Sequence, residues 1–108
     1  MQVVEAVRYT KLLDTYGNVL TPKQRAIFTD YLCFDNTLSE IAQAHHTTRQ
    51  AVKDIVDRTC VRLDELENDL HFCDKMSRVL GELNILYNNT QDENTRQKIA
   101  DIIKSMEV

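Results

Sequence analysis

The chain has 108 residues, with 13 Lys/Arg against 17 Asp/Glu and a net charge of −4 at neutral pH. That length suits one domain with an appended arm, long enough to bury a core without disulfides or metal. The acidic balance excludes a polybasic protein that holds nucleic acid by charge alone, and 2 Gly with 1 Pro argue for helices over a turn-rich sheet fold.

The charge is unevenly spread. Residues 1–62 carry 8 Lys/Arg and 7 Asp/Glu, a net of +1, and residues 63–108 carry 5 and 10, a net of −5. The front is electrostatically permissive for DNA, and the back is better suited to protein contacts. Cys33, Cys60 and Cys73 form an odd set without a CxxC pair, as expected of reduced, packed thiols in a cytoplasmic protein. No leader pattern and no apolar run of membrane length occur, so no membrane insertion is expected.

Four Thr residues stand three places before Glu or Gln: Thr21–Gln24, Thr37–Glu40, Thr47–Gln50 and Thr90–Glu93. Each spacing predicts a capping box at a helix start. The first helix is expected over about Val3–Tyr16, with Tyr9, Leu12, Leu13 and Tyr16 as its apolar stripe, ended by Gly17-Asn18. The second follows Thr21, with Pro22 at its first position and Ile27, Phe28, Tyr31 and Leu32 inward. Asp35-Asn36 breaks it. A short third helix spans about Leu38–Ala44, burying Leu38, Ile41 and Ala42.

The fourth helix begins near Thr48 and meets no stop signal before Asp69. Its apolar residues Val52, Val56, Thr59, Leu63, Leu66, Leu70 and Cys73 follow an alternating four-three spacing, a heptad seam. The seam resumes as Met76, Leu80, Leu83 and Tyr87 after a phase change that implies a bend near His71. Asn88-Asn89 breaks the chain, and a last helix is expected over about Asp92–Met106, with Ile99, Ile102, Ile103 and Met106 apolar.

Residues 38–63, LSEIAQAHHTTRQAVKDIVDRTCVRL, have the lengths of a helix-turn-helix. Leu38, Ile41, Ala42, Val52 and Ile55 would join the two helices, and small Ala42 would let them approach closely. Thr48, Arg49, Gln50 and Lys53 then stand on the exposed first turns of the second helix. Arg suits guanine, Gln suits adenine, and Lys and Thr suit bases or phosphate. Lys23 and Arg25 are candidates for phosphate contacts. The same residues also fit a plainly solvated helix face. Arg58 and Arg62 have helical spacing to Asp54, Asp57, Glu65 and Glu67 and are expected to pair with them. His45, His46, His71 and Cys73 match no zinc spacing, so no metal and no cofactor are expected. No phosphate loop or nucleophile elbow occurs, and no enzymatic activity is expected.

The residues Glu40-Ile41-Ala42, Thr48-Arg49-Gln50-Ala51-Val52, Arg58-Thr59 and Leu63 resemble the promoter-binding region four of sigma factors. The wider stretch, from LLDTYGNVLTPKQR to RLDELE, is similar to the YlxM-type proteins, a family of small bacterial proteins with genes beside those of the signal recognition particle GTPases. The resemblance covers about residues 12–67. It implies an all-α, sigma-region-four-like helix-turn-helix domain over 1–62 and a C-terminal helical arm over 63–108. It also implies a regulatory DNA-binding role near protein targeting. Two positions depart from the pattern. His46 stands where the turn usually has Gly, and Thr47 where Val or Ile is usual, so a looser turn is expected. Asp54 and Asp57 lie on the reading helix, where they would meet phosphates.

Two functions from different classes follow. One is duplex-DNA binding by a regulator associated with the signal recognition particle pathway. The other is a protein-interaction module for components of that pathway, without DNA. The seam beyond the helix pair leads to the expectation of a homodimer, with Leu63, Leu66, Leu70 and Cys73 at the interface.

Overall fold

The computed structural model describes residues 1–107. Among them every regular element is helical, the all-α class expected: α1 Val3–Tyr16, a 3-10 turn Gly17–Val19, α2 Pro22–Leu32, α3 Leu38–Ala44, α4 Arg49–Leu70, α5 Phe72–Asn89 and α6 Glu93–Ser105. They group into two compact units, residues 1–70 and the residues from His71 onward. Residues 63–70, grouped with the arm by sequence, sit in the first unit.

The first unit is organised by α4. Val52, Val56, Thr59 and Leu63 are buried in one stripe, and α1, α2 and α3 all pack on this helix. Leu12, Leu13 and Tyr16 from α1, Ile27 and Phe28 from α2, and Ile41 and Ala42 from α3 complete the core. Thr59 is the polar member of the stripe, and it is fully buried. Its hydroxyl donates to the Ile55 carbonyl at 2.7 Å, one turn back, so the Thr59 hydroxyl is satisfied.

Polar bonds fasten α1 to the far half of α4. Tyr9 Oη donates to Asp64 Oδ2 at 2.8 Å, Arg8 ion-pairs with Asp64 Oδ1 at 2.7 Å, and Tyr16 Oη donates to Glu67. Tyr9 also meets Phe28 edge-on, with ring centroids 6.1 Å apart. Burial, with the Asp64 hydrogen bond adding to it, pushes the Tyr9 phenol up to about 12. Burial likewise pushes the neighbouring Cys60 thiol up to about 11, so it stays protonated and acts as packing.

Two of the four expected capping boxes form, Thr21–Gln24 and Thr37–Glu40. The other two starts fall elsewhere. Thr48, not Thr47, caps α4 by accepting from the Ala51 amide at 3.1 Å, and Gln50 turns along its own helix instead of reaching back. Asp92, not Thr90, caps α6, accepting from the Thr95 amide at 3.2 Å and its hydroxyl at 2.6 Å. Thr90 is already used at the end of α5, where its amide donates to Leu86. A carboxylate also suits the positive end of a helix better than a hydroxyl does.

In the second unit α5 packs on α6. Ile99 of α6 and Cys73 of α5 are buried, and Arg96 stacks over the Tyr87 ring at 4.4 Å. Val79, Ile85, Leu86 and Ile102 remain exposed. The helix is interrupted where the phase change was expected: His71 adopts the left-handed conformation (φ 53°, ψ 22°) between α4 and α5.

The tyrosine bond gives a stability test. Tyr9→Phe leaves a carboxylate oxygen of Asp64 without its donor, and should cost about 1–2 kcal/mol in urea unfolding at neutral pH. Because the folded phenol titrates near 12 and the ordinary phenol at 10.0, this contribution is whole below the ordinary value. It is lost as pH rises through the folded one. The gap between wild type and Tyr9→Phe should therefore hold steady up to about pH 10 and close above it. A gap that widens with alkali would contradict the assignment.

Candidate nucleic-acid interface

A short helix, a tight turn and a long helix lie in sequence over α3, residues 45–48 and α4. The turn is built by a pair of backbone bonds that close the end of α3. The Thr47 amide donates to the Ala42 carbonyl at 2.9 Å, and the His46 amide donates to Gln43 at 3.4 Å. This is the Schellman arrangement, which needs a left-handed residue between its two donors. His46 supplies it with φ 54°. The turn is therefore regular, not loose, despite lacking the usual Gly. A side-chain strap holds it to α2, where His45 Nε2 and Asp30 Oδ2 are 2.9 Å apart. Sequence gives no local signal for that strap, because the partners stand on different helices.

The turn delivers Thr48, Arg49, Gln50 and Lys53 to the surface, where all four are exposed. Each is in a different state. The Thr48 hydroxyl is occupied as the cap. Gln50 Nε2 donates to Asp54 Oδ1 at 3.0 Å, and Lys53 Nζ donates to Asp57 Oδ2 at 2.8 Å. The bond from Asp57, with the charges of Asp57 and Asp54 adding, holds the Lys53 ammonium above the ordinary lysine value. The Arg49 side chain makes no ion pair or hydrogen bond among the described residues and projects from the first turn of α4. Asp54 and Asp57 thus serve Gln50 and Lys53, whereas the sequence reading paired them with Arg58 and Arg62. Arg62 reaches Glu65 at 4.0 Å. The signal for the observed pairs was present in the spacing of four, which brings side chains together on a helix.

The other two expected DNA-contacting residues are on α2. Lys23 is exposed in its first turn. Arg25 lies across Gly17 and donates through Nη1 to Asn18 Oδ1 at 2.7 Å. Arg25 and His45 line one shallow groove, so the structure brings Arg25 to the side of the helix-turn-helix turn. The residues expected at an oligomer interface separate. Leu63 is fully buried in the first unit's own core, Leu66 is half-buried, Leu70 is exposed and Cys73 is buried. No group of His, Cys, Asp and Glu among the described residues could hold a metal ion. No helix among them is long and apolar enough to cross a membrane.

These elements define an all-helical protein with a helix-turn-helix whose second helix presents its first turns outward. The chain belongs to the UPF0122 family, described as "Putative helix-turn-helix protein, YlxM / p13 like", whose family model matches residues 3–106. Relatives include the UPF0122 protein of Clostridium acetobutylicum, 34% identical with 94% of each chain covered. Another, from a Geobacillus species, is 35% identical over 95% of this chain and 94% of its own. A third, from Clostridium kluyveri, is 36% identical over 94% of this chain and 80% of its own. No solved structure matches the chain significantly.

The left-handed histidine gives a direct test of the turn. A non-Gly residue in that conformation costs roughly 1–2 kcal/mol, and Gly does not carry the penalty. His46 is exposed, so little packing is lost on its removal. His46→Gly should raise the unfolding free energy by about 1 kcal/mol in urea melts. A loss of stability would mean that the imidazole makes a contribution of its own to the turn.

Proposed function

We propose that this protein is a cytoplasmic, non-catalytic DNA-binding regulator that reads duplex DNA with the first turns of α4. The observation carrying this reading is the presentation of Arg49 beside Thr48, Gln50 and Lys53 at the exposed N-terminal end of a braced second helix. Only those turns of a reading helix reach base edges, because later residues leave the groove. Lys23 and Arg25 serve as phosphate contacts that set orientation. An association with the signal recognition particle pathway follows from the YlxM-type resemblance. The division of labour is a helix-turn-helix domain followed by an arm that mediates oligomerisation.

The arm makes the active species a homodimer in this reading. In the α5–α6 hairpin Val79, Ile85, Leu86 and Ile102 are exposed, and in the first unit Leu70 is exposed. A second copy would bury exposed apolar side chains of this kind. Leu66 and Cys73 flank the same stretch of chain. Leu63 contributes indirectly, by anchoring α4 in its own unit.

A second reading has an observation of its own. Gln50 and Lys53 are both engaged by carboxylates, which suits a helix-turn-helix used as a protein-binding scaffold for targeting components. Selection from a random duplex library at low salt separates the two. Under the DNA reading a preferred site is enriched, Arg49→Ala costs about 1–3 kcal/mol on it, and sequence preference flattens. Lys23→Ala should weaken all sequences alike and reduce the log-salt slope by about 0.9. No enrichment, with Arg49→Ala matching wild type, would leave the scaffold reading in place.

Light scattering at micromolar concentration tests the dimer. The wild type should have twice the chain mass, and Leu70→Asp should have the mass of one chain, since a carboxylate in an apolar contact costs several kcal/mol. A wild-type monomer would remove the dimer from this reading.

A further inference from the structure

The first turns of α4 carry two acids in a helix segment whose proposed task is to meet a polyanion. Gln50, Lys53, Asp54 and Asp57 all fall within about 100° of arc on the exposed side of α4, opposite the stripe of Val52, Val56, Thr59 and Leu63. Both bonds run forward by one turn, from Gln50 to Asp54 at 3.0 Å and from Lys53 to Asp57 at 2.8 Å. Each reading group therefore has an intrahelical acceptor already in the place a base edge or phosphate would take.

Resting on the DNA-reading assignment, we propose that Asp54 and Asp57 are specificity-determining residues. Each holds one reading side chain against the helix, so that duplex DNA engages this surface only where a site replaces both bonds. A phosphate arriving at Lys53 has to displace Asp57 and then lies beside the freed carboxylate. At a non-specific site only the phosphates match, because the base edges present the wrong donors and acceptors, so the exchange yields little. A site with matching base edges supplies new acceptors and donors for Gln50 as well as Lys53, and it offsets the loss of both pairs. Specificity here comes from weakening the wrong complexes more than the right one. The protein's net charge of −4 acts in the same direction but at longer range.

The two aspartates differ in their consequences. Asp57 controls a cation, so its removal adds a phosphate contact. Asp54 controls a neutral amide, so its removal changes base preference more than salt dependence.

The test uses the full-length chain and a fluorescently labelled random-sequence duplex, with anisotropy followed across a salt series. Asp57→Asn should steepen the log-salt slope by about 0.9 and tighten non-specific binding about eightfold at ~0.1 M salt, the effect of one added phosphate contact. Adding Lys53→Ala to Asp57→Asn should abolish that gain. Asp57→Glu keeps the charge and should remain near wild type. Asp69→Asn removes the same charge about 18 Å further along α4, beyond the screening length of about 10 Å, and should leave the slope unchanged. Equal effects of Asp57→Asn and Asp69→Asn would overturn the proposal in favour of bulk charge. A wild type that binds and an Asp57→Asn protein that binds no better would overturn it while leaving the DNA reading standing. Binding by none of the proteins at low salt would remove the DNA reading and this proposal with it. Circular dichroism of every variant should match wild type, because exposed pairs contribute little to folding.

Discussion

The burial of one stripe of α4 is the constraint on which the first unit depends. Val52, Val56, Thr59 and Leu63 are covered by three helices that share few other contacts of comparable extent. Burying side chains of this size is worth about 1.5–3 kcal/mol each, whereas α3, with 7 residues, is far too short to be stable alone. The short helix exists because α4 and α2 cover its Ile41 and Ala42. The outward position of the first turns of α4 is thus a by-product of core packing: the face opposite the stripe is left exposed. The same helix is both the spine of the fold and the carrier of Arg49, so the presentation of Arg49 cannot loosen without loosening the core.

Much of this was legible in the sequence, and the reasons are physical. Helix positions follow from apolar periodicity, and the bounds of α1 and α3 agree with that pattern. The seam on α4 was visible too, but its meaning was not. A heptad spacing says that one face is buried and leaves open what buries it. At Leu63 the cover is the chain's own core, and Tyr9 and Tyr16 extend the contact to Asp64 and Glu67 through partners more than fifty residues away. Long-range polar pairs of that kind have no local signature. The misplaced caps have a different cause. Thr47-Thr48 and Thr90 through Asp92 each offer two competing cap residues, and the choice is settled by where the preceding turn or helix ends.

The electrostatics of the candidate interface follow from similar competition at short range. Of its cationic side chains, Lys53 is bound to Asp57 and Arg25 to Asn18, while Arg49 and Lys23 stand exposed with no side-chain hydrogen bond or ion pair among the described residues. Sequence counts give the front of the chain a net of +1, but a count cannot say which cations are available. In exposed positions such pairs contribute little to folding. A donor that already has an acceptor also gains less from a further anion than a solvated one does.

Three connections are made by non-Gly residues in the left-handed region: Asp35 between α2 and α3, His46 between α3 and α4, and His71 between α4 and α5. Neither glycine is used this way. Gly17 is buried under Arg25, and Gly81 lies within α5 with open space around it. Each left-handed residue opposes the local preference of the chain by roughly 1–2 kcal/mol, so local sequence alone would not hold these turns. At His46 the compensation is visible in the two amide bonds that close α3 and in the adjacent His45–Asp30 strap. At His71 the situation differs. One residue separates α4 from α5, the His71 side chain makes no capping bond, and the apolar spacing continues across the junction to Cys73. A pattern that runs through a break cannot itself specify the break. What favours a bend there is the phase change between Cys73 and Met76, which would carry the later apolar residues off the face that Leu63 and Leu66 occupy if the helix ran on straight. The division of the chain into two units is therefore marked by the change of apolar register just past the junction more than by the residue that makes the turn.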